Sequence, residues 1–139
     1  MKKVGGIKID ARTLGGFAEL EATKQLMSRG FYVSRPMVDN YPYDLICDWH
    51  GVLKRIQVKA TASISENRRR KFESVNGADR TLYTRGSIDY FLCYVVDLDV
   101  WYVIPASIVT SKKITVYPDV ENSVAKFESY KDHWELLKQ

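Results

Sequence analysis

Asp44, Gln57 and Lys59 are polar residues on two consecutive β-prone segments, 43–49 and 52–60. A carboxylate on one strand, with an amide oxygen and an ammonium group two residues apart on the next, suits hydrolysis of a phosphodiester. That reaction needs a divalent cation that polarises the phosphate and activates a water molecule. Mg²⁺ takes hard oxygen ligands, including one or two carboxylates, and a nearby ammonium group offsets phosphate charge. The three residues therefore predict a cation-dependent hydrolytic site.

The two segments predict a β-hairpin, because only the turn His50–Gly51 separates them. Asp44 opens the first strand, and Gln57 follows thirteen residues later, so the second strand returns to the same end of the hairpin. Gln57 and Lys59 share a face because strand side chains alternate with a period of two. The hairpin thus predicts that the three residues lie together at one end of a sheet.

A helix is predicted over residues 13–29, with Thr13 as its cap and Gly30 at its C-terminal end. Glu19 on this helix is the fourth predicted member of the site, which it completes through a bound water. Glu21 is the competing carboxylate, but it lies about 200° around the helix from Glu19, away from the apolar face. We therefore expect Glu19 to face Asp44.

The predicted metal ligands are Asp44, Gln57, the backbone carbonyl of Val58 and, through water, Glu19. Val58 contributes only its carbonyl, because its side chain points into the core. The amide of Gln57 brings no charge, and a hydrogen-bonding role in the core is about as good an interpretation. Asp44 taken alone is typical of a turn cap, and Lys59 taken alone of a solvated strand charge. Their combination favours the metal site.

The rest of the sequence predicts one α/β domain over residues 1–139, with a central mixed β-sheet flanked by helices. Apolar runs bounded by proline or turn residues predict further strands at 31–35, 88–96, 100–104 and 114–117. A helical turn is expected at 105–109. Apolar residues at helical spacing predict a final helix over 122–138.

Composition narrows the class of protein. Hydrophobic residues make up 45% of the 139-residue chain, which is enough for a folded core that needs no disulfide or structural metal. The two cysteines, Cys47 and Cys93, lie inside apolar runs and are expected to be buried thiols of a reducing compartment. The N-terminal segment lacks the apolar core of a signal peptide, and no stretch is long enough to span a membrane. The expected location is the cytoplasm.

Positive charge is concentrated in the middle of the chain, although the net charge is only +4. Such a cluster suits a nucleic-acid backbone. The residues predicted to contact DNA are Arg68, Arg69, Arg70, Lys71, Arg80 and Arg85. The first four are expected to bind phosphates, and Arg80 and Arg85 to belong to an element that contacts bases. The alternative for the run at 68–71 is a solvated loop without a ligand.

The ordered motifs of residues 13–105 resemble the PD-(D/E)xK nuclease superfamily. They are similar to archaeal-type Holliday-junction resolvases and, more closely, to group I intron-associated homing endonucleases. The motifs are Gly16-Phe17-Ala18-Glu19, Gly30-Phe31, Pro36, Pro42-Tyr43-Asp44-Leu45-Ile46, Ile56-Gln57-Val58-Lys59-Ala60-Thr61, Ile88-Asp89-Tyr90-Phe91 and Trp101-Tyr102-Val103-Ile104-Pro105. Two departures stand out: Tyr43 separates Pro42 from Asp44, and Gln57 replaces the usual acidic residue.

The resemblance implies a restriction-endonuclease-like fold and a Mg²⁺-dependent DNA endonuclease of homing or restriction-like type, with Mn²⁺ as a substitute ion. It implies catalytic roles for Glu19, Asp44, Gln57 and Lys59. Two alternatives stay open: a Holliday-junction resolvase, and a catalytically inactive module of the same fold that binds DNA or protein. Cutting both strands from one small domain needs at least a dimer, and the intron-associated relatives imply that a tetramer is an option.

Overall fold

A five-stranded mixed sheet forms the centre of the computed structural model, which describes residues 2–4, 7–62, 68–75 and 86–139. The strands are β1 (Lys2–Val4), β2 (Ile7–Ile9), β3 (Tyr32–Ser34), β4 (Leu45–Trp49), β5 (Val52–Thr61), β6 (Arg70–Glu73), β7 (Tyr90–Val95), β8 (Val100–Pro105) and β9 (Lys113–Val116). The central sheet has the order β3-β4-β5-β7-β8, and β5 and β7 are its parallel pair. The predicted mixed sheet of an α/β domain is confirmed.

The helix α1 (Ala11–Ser28) packs its apolar face on this sheet. Its buried residues are Leu14, Ala18, Ala22 and Leu26, spaced by three or four positions. The N-cap is Asp10, whose side chain accepts a hydrogen bond from the Thr13 backbone N–H at 2.8 Å, so the predicted Thr13 cap was wrong. Gly30 follows the helix with a positive φ of 91°, as predicted for its C-terminal end.

The hairpin β4–β5 forms with the predicted turn. His50 and Gly51 both adopt positive φ, and the Gly51 N–H donates to the Asp48 carboxylate at 2.8 Å. Two consecutive residues with positive φ match the right-handed twist of a tight hairpin. The register pairs Leu45 with Ile56, and both side chains are fully buried.

Each face of the central sheet carries its own hydrophobic cluster. On the α1 side, Leu45, Ile56 and Leu92 pack with the helix. On the other side, β6 and β9 form a two-stranded sheet, and its Phe72 and Ile114 pack against Phe91 of β7. Cys47 and Cys93 are buried free thiols on opposite faces, which confirms their predicted burial.

The C-terminal segment 122–138 does not form the predicted helix. It contains two short 3₁₀ turns, Glu128–Tyr130 and Trp134–Lys138, and α1 is the single α-helix of the described residues. Asp132 has a φ of 53°, and its N–H donates to the Trp101 carbonyl at 2.9 Å, so the chain is tied to β8 where a helix would continue. Of the apolar residues with helical spacing, Phe127, Trp134 and Leu137 are nevertheless buried, whereas Val124 is exposed.

Two further findings complete the fold. Pairing of β1 with β2 gives a short antiparallel hairpin before α1, which was not predicted from the sequence. The predicted helical turn after β8 is present as the 3₁₀ turn Ala106–Ile108. No helix in the part of the chain that the structure describes is long and apolar enough to cross a membrane.

Candidate active site

Asp44 immediately precedes β4, and its backbone and side chain both bind β5. Its N–H donates to the Ile56 carbonyl at 2.8 Å, and its Oδ2 accepts a hydrogen bond from the Val58 N–H at 2.9 Å. One step beyond the Leu45–Ile56 pair, the antiparallel register places Asp44 across from Gln57. The half-buried carboxylate is therefore fixed by the β5 backbone through Oδ2, and Oδ1 has no hydrogen bond within the described residues.

Glu19 reaches the same place from α1. It lines a cleft of about 720 Å³ together with Asp44, and the side chain is 24% exposed. Its Oε1 accepts a hydrogen bond from Nη2 of Arg35 at 3.0 Å. Glu21, the competing carboxylate, instead helps to raise the pKa of Tyr94. Tyr94 belongs to the hydrophobic cluster between α1 and the sheet. Glu19 is therefore the helix carboxylate that shares a cleft with Asp44.

The two carboxylates of the cleft oppose each other electrostatically. Burial raises the pKa of Asp44 above its ordinary value, against the lowering effect of the Val58 N–H and of Lys59 and Arg35. Burial also raises the pKa of Glu19, and the negative charge of Asp44 raises it further. A cation placed between the two groups would relieve both effects.

Lys59 and Gln57 lie on the face of β5 that points away from α1. Lys59 is half-buried, and its Nζ donates to the Val75 carbonyl at 3.5 Å. Burial lowers the pKa of Lys59, and the charge of Asp44 raises it, so the ammonium group lies within electrostatic reach of that carboxylate. Gln57 is half-buried and pairs with Phe91 in the parallel register with β7.

The carboxylates of Asp44 and Glu19 line the cleft together, whereas Gln57 and Lys59 are not among its lining residues. Gln57 and Val58 lie across from Asp44 on β5, so the amide oxygen of Gln57 and the carbonyl of Val58 are the groups that could complete a set of hard oxygen donors for one divalent cation. No group of three or more His, Cys, Asp or Glu side chains suited to a metal occurs among the described residues. Mg²⁺ needs only one or two carboxylates and keeps several waters, so this oxygen-rich set is sufficient.

The residues predicted to bind DNA have different environments. Arg70 is 2% exposed, and its guanidinium forms hydrogen bonds of 2.6 and 2.8 Å with the Asp97 carboxylate. Arg68 pairs with Asp119 at 3.4 Å on the surface, and Arg69 is half-buried. Lys71 on β6 is exposed.

These placements change one assignment. The predicted phosphate contact of Arg70 is not retained, because its buried guanidinium is already bound by both oxygens of the Asp97 carboxylate. Arg80 and Arg85 lie outside the described residues. Lys71 lies on β6, the strand that leads towards Val75, whose carbonyl accepts a hydrogen bond from Lys59, and its contact with DNA stays a prediction.

Arg12 and Arg35 are cleft residues that the sequence analysis did not identify. Both line the same cavity as Glu19 and Asp44. Arg35 ends the predicted strand 31–35 and stands directly before Pro36, a motif residue, so its position between the Gly30 and Asp44 motifs was the available signal. Arg12 gave no comparable signal, because it lies at the solvent-exposed first turn of α1.

Comparisons with known proteins identify a family and similar solved structures. The PD-(D/E)XK endonuclease family matches residues 9–137. The solved structure of the bacterial homing endonuclease I-Ssp6803I matches with a TM-score of 0.79 and 24% identity, covering 95% of this chain and 94% of that chain. Hjc, a Holliday-junction resolvase from the archaeal hyperthermophile Archaeoglobus fulgidus, matches with a TM-score of 0.49 and 18% identity, covering 75% of this chain and 87% of that chain. No curated protein matches in sequence.

The family match spans α1, the hairpin β4–β5 and the rest of the central sheet, and so includes Glu19, Asp44, Gln57 and Lys59. The fold, with its five-stranded mixed sheet and the helix α1, is shared with I-Ssp6803I. The chain belongs to the PD-(D/E)XK endonuclease family.

Proposed function

We propose that this nuclease is a Mg²⁺-dependent endodeoxyribonuclease whose active site is Glu19, Asp44, Gln57 and Lys59. One observation carries the proposal. Asp44 is held against the β5 backbone, beside Gln57, and shares a cleft with Glu19. Two carboxylates that repel each other in a half-buried cleft, with an ammonium group within electrostatic reach, are suited to a divalent cation and a phosphate.

Each residue has a distinct role. Asp44 holds Mg²⁺ directly, with the amide oxygen of Gln57 and the carbonyl of Val58, and Glu19 contributes through a water. Mg²⁺ supplies polarisation of the phosphate and a water of lowered pKa, and Mn²⁺ is expected to substitute for it. Lys59 donates hydrogen bonds to the attacking water or to a phosphate oxygen, and its positive charge stabilises the transition state.

Gln57 sets the charge of the site. With a neutral amide where an acid is usual, the ligand set carries at most the two negative charges of Asp44 and Glu19. One divalent cation neutralises that charge, so we propose a single tightly bound ion. Gln57→Glu is expected to preserve cleavage and to tighten Mg²⁺ binding, because an added carboxylate strengthens a hard-cation site.

Nicking of supercoiled plasmid in Mg²⁺ and in EDTA tests the proposal. Wild-type protein should nick only with the metal, and Asp44→Asn should abolish nicking. Asparagine keeps an oxygen that can accept from the Val58 N–H, so the variant should fold. The matched control is Asp48→Asn on β4, whose carboxylate accepts a hydrogen bond from the Gly51 N–H in the hairpin turn. Equal nicking by Asp44→Asn and wild type would remove Asp44 from the active site.

The substrate is proposed to be linear double-stranded DNA, as for a homing-type enzyme. The order of the sequence motifs supports this choice over a Holliday-junction resolvase. Cleavage of a long linear duplex should therefore exceed cleavage of a synthetic four-way junction at equal concentrations. Preference for the junction would favour the resolvase, and no cleavage of either with intact DNA binding would favour the inactive binding module.

Each chain offers one such site, so cutting both strands of a duplex needs at least two copies of the chain. We propose a homo-oligomer, a dimer or a tetramer, that acts on DNA in the cytoplasm. The buried free thiols Cys47 and Cys93 suit that reducing compartment. Light scattering after size-exclusion chromatography distinguishes the two assemblies from a monomer.

A further inference from the structure

Arg35 contacts one carboxylate of the proposed active site and acts electrostatically on the other. Its Nη2 donates to Oε1 of Glu19 at 3.0 Å, and its charge also acts on Asp44. The side chain is 57% exposed, whereas that of Glu19 is 24% exposed. Arg35 is therefore the outer partner of this ion pair, at the solvent side of the cleft.

The guanidinium of Arg35 places positive charge next to Glu19, where a bound divalent cation would also place it. Glu19 and Asp44 raise each other's electrostatic energy, and the guanidinium of Arg35 offsets this repulsion. A cation held by Asp44, with Glu19 as an outer ligand, would provide the same compensation more strongly. Arg35 would then have a positive ion for a neighbour, which weakens its attraction to Glu19.

The position of Arg35 allows it to change partners. It follows β3 and precedes Pro36, at the start of the segment that forms one wall of the cleft through Met37 and Val38. An ion pair with one largely exposed partner contributes little to stability, so releasing it is inexpensive. The planar guanidinium fork matches the oxygens of a phosphate, which it can bind through two parallel hydrogen bonds.

We propose that Arg35 exchanges partners during the reaction, pairing with Glu19 in the metal-free protein and with a DNA phosphate at the mouth of the cleft once the site is loaded. This inference rests on the proposed function, because it needs a cation at Asp44 and DNA in the cleft. It assigns two opposing effects to one side chain. Arg35 competes with the cation for Glu19 in the free protein, and it strengthens DNA binding in the complex.

A purely structural ion pair would behave differently. If Arg35 only tied β3 to α1, its removal would lower thermal stability and leave both metal and DNA binding unchanged. If it were only a surface cation near the cleft, its removal would affect metal binding no more than removal of Arg12. Arg12 lines the same cleft, and within the described residues the ion pair of Glu19 is with Arg35 and not with Arg12, so Arg12→Ala is the matched control.

The experiment measures two binding reactions on wild type, Arg35→Ala, Arg35→Lys and Arg12→Ala. Mn²⁺ binding to free protein is followed by electron paramagnetic resonance. Binding of a linear duplex in Ca²⁺, used as a non-cleaving ion, is followed over a salt series.

Arg35→Ala should bind Mn²⁺ about fivefold more tightly than Arg12→Ala, a coupling typical of interacting sites. It should bind DNA more weakly, with a salt slope reduced by about one unit. Arg35→Lys should keep the salt slope and lose affinity, because an ammonium group lacks the fork.

Equal Mn²⁺ affinities for Arg35→Ala and Arg12→Ala would overturn the competition with the cation. An unchanged salt slope for Arg35→Ala would overturn the phosphate contact. Both results leave the proposed function intact as long as the wild type binds Mn²⁺ and cleaves DNA. A wild type that binds no Mn²⁺ overturns the proposed function, and the inference about Arg35 with it.

Discussion

Asp44 and Asp97 are both partly buried carboxylates next to the central sheet, and they differ in how their charge is satisfied. Asp97 receives two hydrogen bonds from the buried guanidinium of Arg70, which hold its pKa below the ordinary value. Asp44 receives one hydrogen bond from a backbone N–H, and burial raises its pKa. The negative charge of Asp97 is therefore balanced by the guanidinium of Arg70. The carboxylate of Asp44 is fixed in place, but its negative charge is only partly balanced.

This difference separates a structural charge from a functional one. A paired carboxylate stabilises the fold and has little left to offer a ligand. An undercompensated carboxylate costs stability, and it is retained where a cation or substrate supplies the missing charge. This criterion supports the proposed site at Glu19 and Asp44, whereas the Arg70–Asp97 pair joins the sheet β6–β9 to the turn after β7.

Lys59→Met should give the largest effect of the changes that test this comparison. The ammonium group is within electrostatic reach of Asp44, and its loss removes a donor aimed at charge that develops in the transition state. Cleavage should fall by about 100-fold to 1000-fold, as for removal of one such donor elsewhere. Plasmid nicking rates measure it, with Lys54→Met as the control, because Lys54 lies on the opposite face of β5. A Lys59→Met enzyme with the rate of the control would exclude Lys59 from catalysis.

Asp97→Asn should reduce stability with little effect on the chemistry. It leaves the guanidinium of Arg70, which is 2% exposed, without its counter-charge. Breaking a buried pair costs about 3–5 kcal/mol, and we expect about 2 kcal/mol here because the Asp97 side chain is 36% exposed. Urea unfolding measures this loss, and nicking per folded molecule should be unchanged. Asp44→Asn should show no comparable destabilisation, and an equal loss of stability in the two variants would erase the proposed distinction.

The pH dependence of the free energy of unfolding should reveal the paired state of Asp97. Because Arg70 lowers the pKa of Asp97 in the folded protein, the unfolded chain binds a proton there at higher pH. The contribution of Asp97 is therefore present above its unfolded pKa of about 3.9 and is lost as pH falls through the lower folded value. Asp97→Asn should thus lose less stability than wild type between neutral pH and pH 3. Parallel stability curves for the two proteins would show that the pair does not titrate as described.

Local patterns in the sequence were sufficient for the parts of the fold that carry the site. Alternation in 52–60 and the His50–Gly51 turn predicted the hairpin, and helical spacing around Ala18 predicted α1. These signals depend on near neighbours in the chain. The cleft shared by Glu19 and Asp44 is a tertiary contact, which the family resemblance implied and local patterns alone did not. The predicted roles of these residues stay predictions until cleavage is measured.

Long-range contacts account for what the sequence did not predict. The helical spacing of Phe127, Trp134 and Leu137 fits successive 3₁₀ turns as well, and the tie between Asp132 and Trp101 selects the turns. Arg70 could not be told from its neighbours in the basic run, because its partner Asp97 lies 27 residues away. Pairing between distant charges is set by the tertiary fold, and no pattern within the run indicates it.

The smallest expected effect compares Lys71 with Arg68, two exposed cations of the same basic run. Arg68 pairs with Asp119 and donates to its backbone carbonyl at 2.9 Å, so part of its charge is already compensated. Lys71 lies on β6, the strand that leads towards the Lys59 contact at Val75. Lys71→Ala should therefore lower the slope of log affinity against log salt by about one unit, and Arg68→Ala by less. Fluorescence anisotropy with specific and random duplexes measures both slopes, and the loss should be equal for the two DNAs, because phosphate contacts carry no sequence information. If Arg68→Ala gave the larger change in slope, DNA would lie on the side of the Arg68–Asp119 pair, and the stronger phosphate contact expected of Lys71 would be wrong.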